Sequence, residues 1–549
     1  MQVTPLLSTI NSSAFLRTYL EANGIDDIDS YLHPHAGCFD DCWGYPNMLE
    51  AVDLLGGAVY HHYKIGILAD SDADGQYSAT IMYLFLKELD VTPVMFYHVG
   101  KQHGLRPSKE ENIVEQVIEK GIDLLIIPDA SSNDAKECKE LHDNGVEVLI
   151  LDHHEIDTPN PHAVIVNHHL GEGLNTALSG TGVVAKFIQA YCMNYMLPTP
   201  YYNDLVAASI ISDVCDLSSL ENRAYVADGL AHLTHPTLKL MTEKLCNKGV
   251  NPHGLAWGTN PPINALTRGD NFEDKVKFFE AMVGIEEPKV ALTVARRAHR
   301  IQTEEVKRIM AEVDTNIDNS HKVIIAYCNP KDKNYTGLVA NKLMSKYGKP
   351  VILLRQATTT TWSGSVRSII ELASKINETG LANCQGHEQA CGILVKKSNL
   401  PKLIAFLDTL DLETIPSVPV TAILDPKDIK QNLCEVCENN KMLWGHGLPQ
   451  PSFYIKAYLT PTNIQFFEKR TTTIKFTIGN VAFLKFMASQ EDVDKFKTLV
   501  NNRWSAEIEM VVTLGTNEWN GVVSCQGIVD KYELNLLKED SDDDWMSAF

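Results

Sequence analysis

Five short apolar runs between residues 64 and 166 decide most of what this chain can become. Lys64 to Ala69, Val91 to Tyr97, Asp123 to Pro128, Val148 to Leu151 and Ala163 to Val166 alternate with amphipathic segments such as Ser78 to Leu89 and Ser108 to Lys120. Apolar strands separated by helix-length segments predict a parallel sheet covered on both faces and joined by right-handed crossovers. Three of the runs empty into acid: the first into Asp70-Ser-Asp72-Ala-Asp74, the third into Asp129, the fourth into Asp152-His153-His154.

Carboxylates spaced by two on an extended segment point the same way, and sites in open α/β sheets form beyond the carboxyl ends of the strands. Asp70, Asp72, Asp74, Asp129, Asp152, His153 and His154 should therefore converge, joined by Asp213, which follows the strand-like or buried run from Ala208. Like charges so gathered imply bound cations, and oxygen ligands with imidazoles suit Mn²⁺ or Mg²⁺. The pattern reads as a two-metal phosphoesterase. A single Asp at a strand end is commonly a helix cap or a turn residue, and Asp134 and Asp157 are read that way.

At 549 residues the chain exceeds one hydrophobic core. Residues 1–270 are expected to form the catalytic domain with an N-terminal extension, 271–318 connecting helices, 319–410 a smaller α/β unit, 411–536 a β-rich unit and 537–549 an acidic flexible tail. The net charge of −22 speaks for solubility and does not exclude a local basic channel for a polyanion. The 12 cysteines form no disulfide framework, and the start lacks a signal-peptide pattern, so a reducing cytoplasm is expected. Cys434 and Cys437 lack a second knuckle, and they and the Cys38/Cys42 cluster are read as ordinary thiols. No apolar run is long enough for a membrane span.

The ordered motifs resemble the DHH phosphoesterase superfamily, and within it the RecJ-like single-strand-specific exonucleases. In the first domain these are Asp70-x-Asp72-x-Asp74-Gly-x-x-Ser78, Asp129-Ala-Ser-Ser132, Asp152-His-His154, Asn167, Leu178-Ser-Gly-Thr-Gly182 and Ser212-Asp213 with Glu221-Asn-Arg223. In the second, Tyr335-Thr-Gly337, Ser363-Gly-Ser-Val-Arg367-Ser368 and Gln385-Gly386-His387 resemble the DHH-associated domain, with Gln385 where a first glycine is usual. In the third, Leu443-Trp-Gly-His-Gly447 and Thr516-Asn-Glu-Trp519-Asn-Gly521 resemble the oligonucleotide-binding barrel of RecJ-like chains. The fold implied is α/β: a doubly wound parallel-sheet DHH domain, a long connecting helix, a smaller α/β DHH-associated domain and a C-terminal OB-type β-barrel.

The resemblance implies two divalent cations, Mn²⁺ or Mg²⁺. Asp72 and Asp129 would serve one, with Asp70 nearby; Asp74, Asp129, His153 and Asp213 would serve the other, with Asp129 bridging. His154 would sit by the scissile phosphate and Asp152 would orient a histidine. Ser363, Arg367, Ser368, Gly386 and His387 would hold a phosphate and help to measure a 5′ end. Arg296, Arg297 and Arg300 form either a solvated helix face or a DNA channel, and Lys469 and Arg470, beside Phe466 and Phe467, pair phosphate contact with stacking or border a barrel core.

The activity implied is metal-dependent 5′ to 3′ exonuclease action on single-stranded DNA, releasing mononucleotides, in recombination or repair. The alternatives are a DHH phosphodiesterase of short oligonucleotides or cyclic dinucleotides, and a catalytically silent nucleic-acid-binding subunit. The acidic end, closing in Trp545-Met-Ser-Ala-Phe549, is similar to tails that dock on replication or single-strand-binding partners, or it is a solubilising end.

Overall fold

The computed structural model describes residues 1–99, 103–106, 112–247, 249–411, 417–469 and 471–537. The apolar runs form β1 (Ile65–Ala69), β2 (Val94–Tyr97), β3 (Leu124–Pro128), β4 (Glu147–Leu151) and β5 (Val164–Val166), all parallel, in the order β2-β1-β3-β4-β5. Alternate residues serve opposite faces. Ile65, Ile67, Ile126 and Leu149 enter one core, whereas Leu68, Leu125, Ile127 and Ile150 enter the other, which is why the strands read as unbroken apolar runs. The strand order reverses between β1 and β3, and a crevice opens there at their carboxyl ends.

Helices α1 (Ala73–Glu88), α2 (Gly180–Asn194) and α3 (Asn203–Ser212) are nearly all buried on the first face. Asp213 therefore stands at a helix end, not after a strand; the run Ala208 to Ile211 is buried because it lies in the centre of the domain. Beyond α4 (Asn260–Thr267) and α5 (Phe272–Met282), the 27-residue α6 (Pro288–Asp314) leads out of the domain. Its first half buries Ala291, Val294 and Ala295 in the first core, and its second half buries Val306, Ile309 and Val313 in the next. One rigid helix thus belongs to two cores.

The second unit has α7 (Thr336–Tyr347) and a mixed sheet of β6 (Ile324–Cys328), β7 (Val351–Gln356), β8 (Thr361–Arg367), β9 (Ala382–His387) and β10 (Ala390–Lys396), ordered β9-β10-β8-β7-β6. The third is a seven-stranded, mainly antiparallel sheet from Ala422–Leu424 to Val522–Leu537, closed over a core that includes Phe453, Phe476, Phe483 and Phe496. A helix Gln431–Asn439, absent from the sequence reading, lines this core with Leu433, Cys434 and Cys437. Each of the 12 cysteines is a free thiol.

The N-terminal segment corrects the expected partition. Phe15, Tyr19, Leu20, Ile28 and Tyr31 bury themselves in the core of the third unit, and Val3–Pro5 pairs in parallel with Val418–Val420. Apolar residues spaced along a short helix cannot show which distant core they fill, so chain order was a poor guide. Arg223 then ties the units, donating from Nε to the Tyr31 carbonyl and from Nη1 to that of Met442. Arg470 and the tail from 538 lie outside the described residues, among which no helix is long and apolar enough to cross a membrane.

Lys186, fully buried on α2, pins the following segment to the catalytic domain. Its Nζ lies 2.5 Å from Glu221 Oε1 and donates to the Asp40 carbonyl at 2.6 Å. Lys186→Ala leaves Glu221 charged and unpaired in the interior, so denaturant unfolding should show a loss of about 3–5 kcal/mol. A loss below about 1 kcal/mol would mean that the pair is not buried as described.

Candidate metal centre

The carboxyl edge of the parallel sheet collects the acidic residues as their spacing predicts. Asp70, Asp72 and Asp129 bring one carboxylate oxygen each within 4.8 Å of one another, and Asp74 and Asp213 do the same with a ring nitrogen of His153. Asp129 also joins Asp152, His153 and His154 in a third group, and so stands between the others. Among the described residues no such group includes a cysteine.

Local structure holds each of these side chains differently. Asp72 caps α1, accepting from Gly75 N at 3.2 Å. Asp74 is buried and accepts from Gly180 N and Thr181 N, both at 2.9 Å, and from Ser209 Oγ at 2.6 Å. Asp129 sits at φ 67, a left-handed backbone that only local constraint sustains in a non-glycine residue, and Ser131 follows at φ 76. A Cβ on Gly180 would collide with the Asp129 carboxylate, so the glycine is needed for the α2 N-terminus to approach so closely. Val214, β-branched at φ 57 directly after Asp213, carries strain beside the cluster.

The two histidines are distinct. His153 Nε2 lies 3.2 Å from Asp129 Oδ1 and 3.7 Å from Asp213 Oδ2, pointing into the cluster. His154 turns outward, its Nδ1 2.7 Å from Asp152 Oδ1, and its side chain is 59% exposed. Asp152 is fully buried, and its oxygens also accept from His153 N, His154 N and Ser132. With both oxygens so occupied, Asp152 is an orienting group, and the ring it orients is that of His154.

Electrostatics mark the cluster as incomplete without cations. Burial, then the charges of Asp74, Asp72, Asp70 and Asp213, raise the Asp129 carboxyl well above the usual range, and its Oδ1 is buried without a hydrogen bond. Burial and the charges of Asp74 and Asp72 push Asp213 up to about 8. Burial opposes the charging of His154, but its bond to Asp152 and that residue's charge outweigh this and lift it to about 9. Crowded carboxylates with an orphaned buried oxygen and a neutral imidazole fit hard divalent cations. Asp70 is the exception in detail: its Oδ2 is 2.6 Å from His103 Nδ1, and its Oδ1 is 3.9 Å from His98 Nε2.

Arg268, at the C-terminus of α4, was missed by sequence reasoning; a lone arginine carries no local signal. Its Nη2 lies 3.9 Å from Asp72 Oδ2, and its Nε is buried without a hydrogen bond. In the second unit burial lowers the Arg367 guanidinium's affinity for its proton, and the charge of Arg268 contributes in the same direction. Arg268 at the edge of the carboxylate cluster, with Arg367 within reach of its charge, offers donors to an anion. Ser363 and Arg367 share one face of β8, and Ser363 Oγ is buried and unbonded.

The other expected residues divide. Ser368 Oγ accepts from Ile370 N in a local turn, while His387 is exposed at the end of β9. Gly386 has φ 120, whereas Gln385 is not among the left-handed residues, so the missing glycine costs nothing there. Arg297 is paired in a fork with the buried Asp274, which removes it from a free phosphate track. Arg296 donates to the Lys244 carbonyl and Arg300 is exposed. Lys469 is exposed; Phe466 tucks under Lys497, while Phe467 is 48% exposed.

Residues 64–210 match the model of the DHH family N-terminal domain, and residues 420–531 match that of the RecJ OB domain, in the order and places where the two sheets lie. The chain is similar to RecJ-like DHH proteins. It is 27% identical to an SPbeta prophage-derived single-strand DNA-specific exonuclease, YorK, of Bacillus subtilis, over 95% of this chain and 96% of that one. It is also 27% identical to the single-stranded-DNA-specific exonuclease RecJ of Thermus thermophilus, over 74% of this chain and 61% of that one. The crystal structure of the Thermus RecJ in complex with Mn²⁺ shares the fold, with a TM-score of 0.74 at 22% identity over 97% of this chain and 78% of that one.

Raised carboxyls cost the metal-free fold stability as pH climbs from their unfolded value near 4 towards their folded value, about 8 for Asp213. Cations must displace these protons. Calorimetric titration with Mn²⁺ in buffers of different ionisation enthalpy should therefore show proton release at neutral pH. Apparent affinity should rise to about pH 8 and then level; binding without proton release, at constant affinity, would contradict the clustered geometry.

Proposed function

We propose that this protein is a metal-dependent exonuclease that hydrolyses single-stranded DNA from the 5′ end to mononucleotides. The observation that carries the reading is Asp129, a strained and buried carboxylate shared between two groups of potential metal ligands, with Arg268 3.9 Å from the neighbouring Asp72. Asp72 and Asp129, with Asp70 close by, would hold one divalent cation, and Asp74, Asp129, His153 and Asp213 the other. Mn²⁺ or Mg²⁺ bound there supplies the charge that activates a water and stabilises the negative charge built up at phosphorus during in-line attack.

The chain's own residues arrange the substrate. His154, with Nδ1 held by Asp152, presents Nε2–H to a phosphate oxygen and is protonated at neutral pH in the metal-free state. Arg268 and Arg367 grip the terminal phosphate from two domains, with the unbonded hydroxyl of Ser363 as a further donor and His387 at the rim. Because the grip lies next to the cluster, only a strand end with its phosphate seated there brings the adjoining bond to the water. Exposed Lys469 and Phe467 on the barrel suit phosphate contact and stacking farther along the strand. The barrel would serve no purpose in hydrolysing a dinucleotide or pyrophosphate.

The test is digestion of 5′- and 3′-labelled single-stranded DNA in Mn²⁺, Mg²⁺ and EDTA. Release of the 5′ label as mononucleotide is expected, lost in EDTA and reduced at least about 10³-fold in Asp74→Ala, Asp129→Ala and Asp213→Ala. Arg367→Ala should lower kcat/KM on 5′-phosphorylated strands by about 10- to 100-fold and narrow the preference over 5′-hydroxyl strands. DNA left intact by the wild type in either metal would sink the assignment.

The acidic end, residues 538–549, is proposed to dock on a basic pocket of a replication or single-strand-binding partner. Deleting it should abolish that association while leaving digestion of free DNA unchanged; unaltered partner binding by pull-down would dismiss the role.

A further inference from the structure

Between Leu255 and Thr259, just before α4, the backbone widens into a π-turn. Pro261 and Pro262 follow, and neither has an N–H to return to the carbonyls of Trp257 and Gly258, so the ordinary four-residue ladder cannot form there. The widened turn carries Trp257 outwards, where it is 74% exposed. The His253 ring stands alongside, with centroids 6.2 Å apart and planes inclined by 42°.

The same helix end also holds a cation. Gly258 presses against the Leu245 carbonyl at the C-terminal end of the helix Pro236–Leu245, closely enough that a Cβ would collide. The adjacent Lys244 carbonyl accepts from Arg296 Nη2 at 3.0 Å, so the indole and this guanidinium are anchored on one helix end. Arg296 spends one of its five donors there. Arg300, one turn along α6, is exposed and makes no salt bridge among the described residues. An exposed indole with an imidazole beside it, on a helix end that also anchors a guanidinium, has the composition of a single-strand stacking platform.

From Trp257 the chain runs through α4 directly to Arg268 at the metal cluster, 11 residues or about 16 Å of helix away. We infer that Trp257, with His253, stacks a nucleobase of the bound single strand, while Arg296 and Arg300 hold the adjoining phosphates. This rests on the single-strand-nuclease reading and adds a subsite to it. A rigid helix joins subsite and cluster, so a base held at Trp257 sets the strand's register at the scissile bond.

The experiment compares binding of a base-bearing oligothymidylate with that of an abasic oligonucleotide of the same length, by fluorescence anisotropy in EDTA, for wild type, Trp257→Ala, Trp257→Phe and Arg300→Ala. Trp257→Ala should weaken the base-bearing strand by roughly 5- to 100-fold, the loss of one base–aromatic stack, and leave the abasic strand unchanged. Trp257→Phe should recover most of the loss. Arg300→Ala should weaken both strands alike and flatten the salt dependence. Equal binding of the base-bearing strand by Trp257→Ala and a wild type that still digests DNA overturns the stacking subsite alone. A Trp257→Ala loss that is equal on the abasic strand overturns it as well. A wild type that binds neither strand overturns the nuclease reading and this inference together.

Discussion

The arrangement depends on mutual repulsion held in check. Asp70, Asp72, Asp74, Asp129 and Asp213 crowd at the carboxyl edge of one sheet, where burial and like charge each disfavour ionisation. A fold accepts such a cluster only where it is over-determined elsewhere, and here the restraint is visible. The strands beneath are buried on both faces, Asp74 is held by backbone and side-chain donors of α2 and α3, and Gly180 lets α2 close on Asp129. Asp129, Ser131 and Val214 hold left-handed backbone at this edge of the domain.

The remainder of the molecule brings opposite charge to that edge. Helix α6 belongs to the cores on both sides and so ties the second unit to the first, with Arg367 within the electrostatic reach of Arg268. Neither guanidinium neutralises the cluster: Arg268 only skirts Asp72, and Arg367 donates to the Val366 carbonyl. Carboxylates awaiting cations and guanidiniums awaiting an anion thus lie side by side, the complementarity that phosphodiester hydrolysis requires. The net acidity of the chain is no obstacle, because what a strand meets is the local field and not the total.

Much of this was legible from spacing. The apolar runs marked five parallel strands, and Asp70-x-Asp72-x-Asp74, Asp129 and Asp152-His-His154 were placed at their ends because strand periodicity and sheet topology are local rules. Arg268 was not legible, since an isolated arginine after an amphipathic helix resembles any solvated end. Nor was the division of labour between His153 and His154, whose rings pack with centroids 4.4 Å apart while His154 alone bonds Asp152 through its ring. Arg297 looked like part of a basic track until Asp274 was found paired with it, and Phe466 looked available until Lys497 covered it.

By itself the sequence determined the parallel sheet, the convergence of its acidic residues and the β-rich end of the chain, all consequences of short-range periodicity and turn chemistry. Only the tertiary structure decided which core receives Phe15 and Tyr31, which guanidiniums stay unneutralised and that Trp257 stands exposed near the helix end that holds Arg296. Those outcomes turn on contacts between residues far apart in the chain. Pairing and burial at such separations depend on how whole domains pack, which no local pattern encodes.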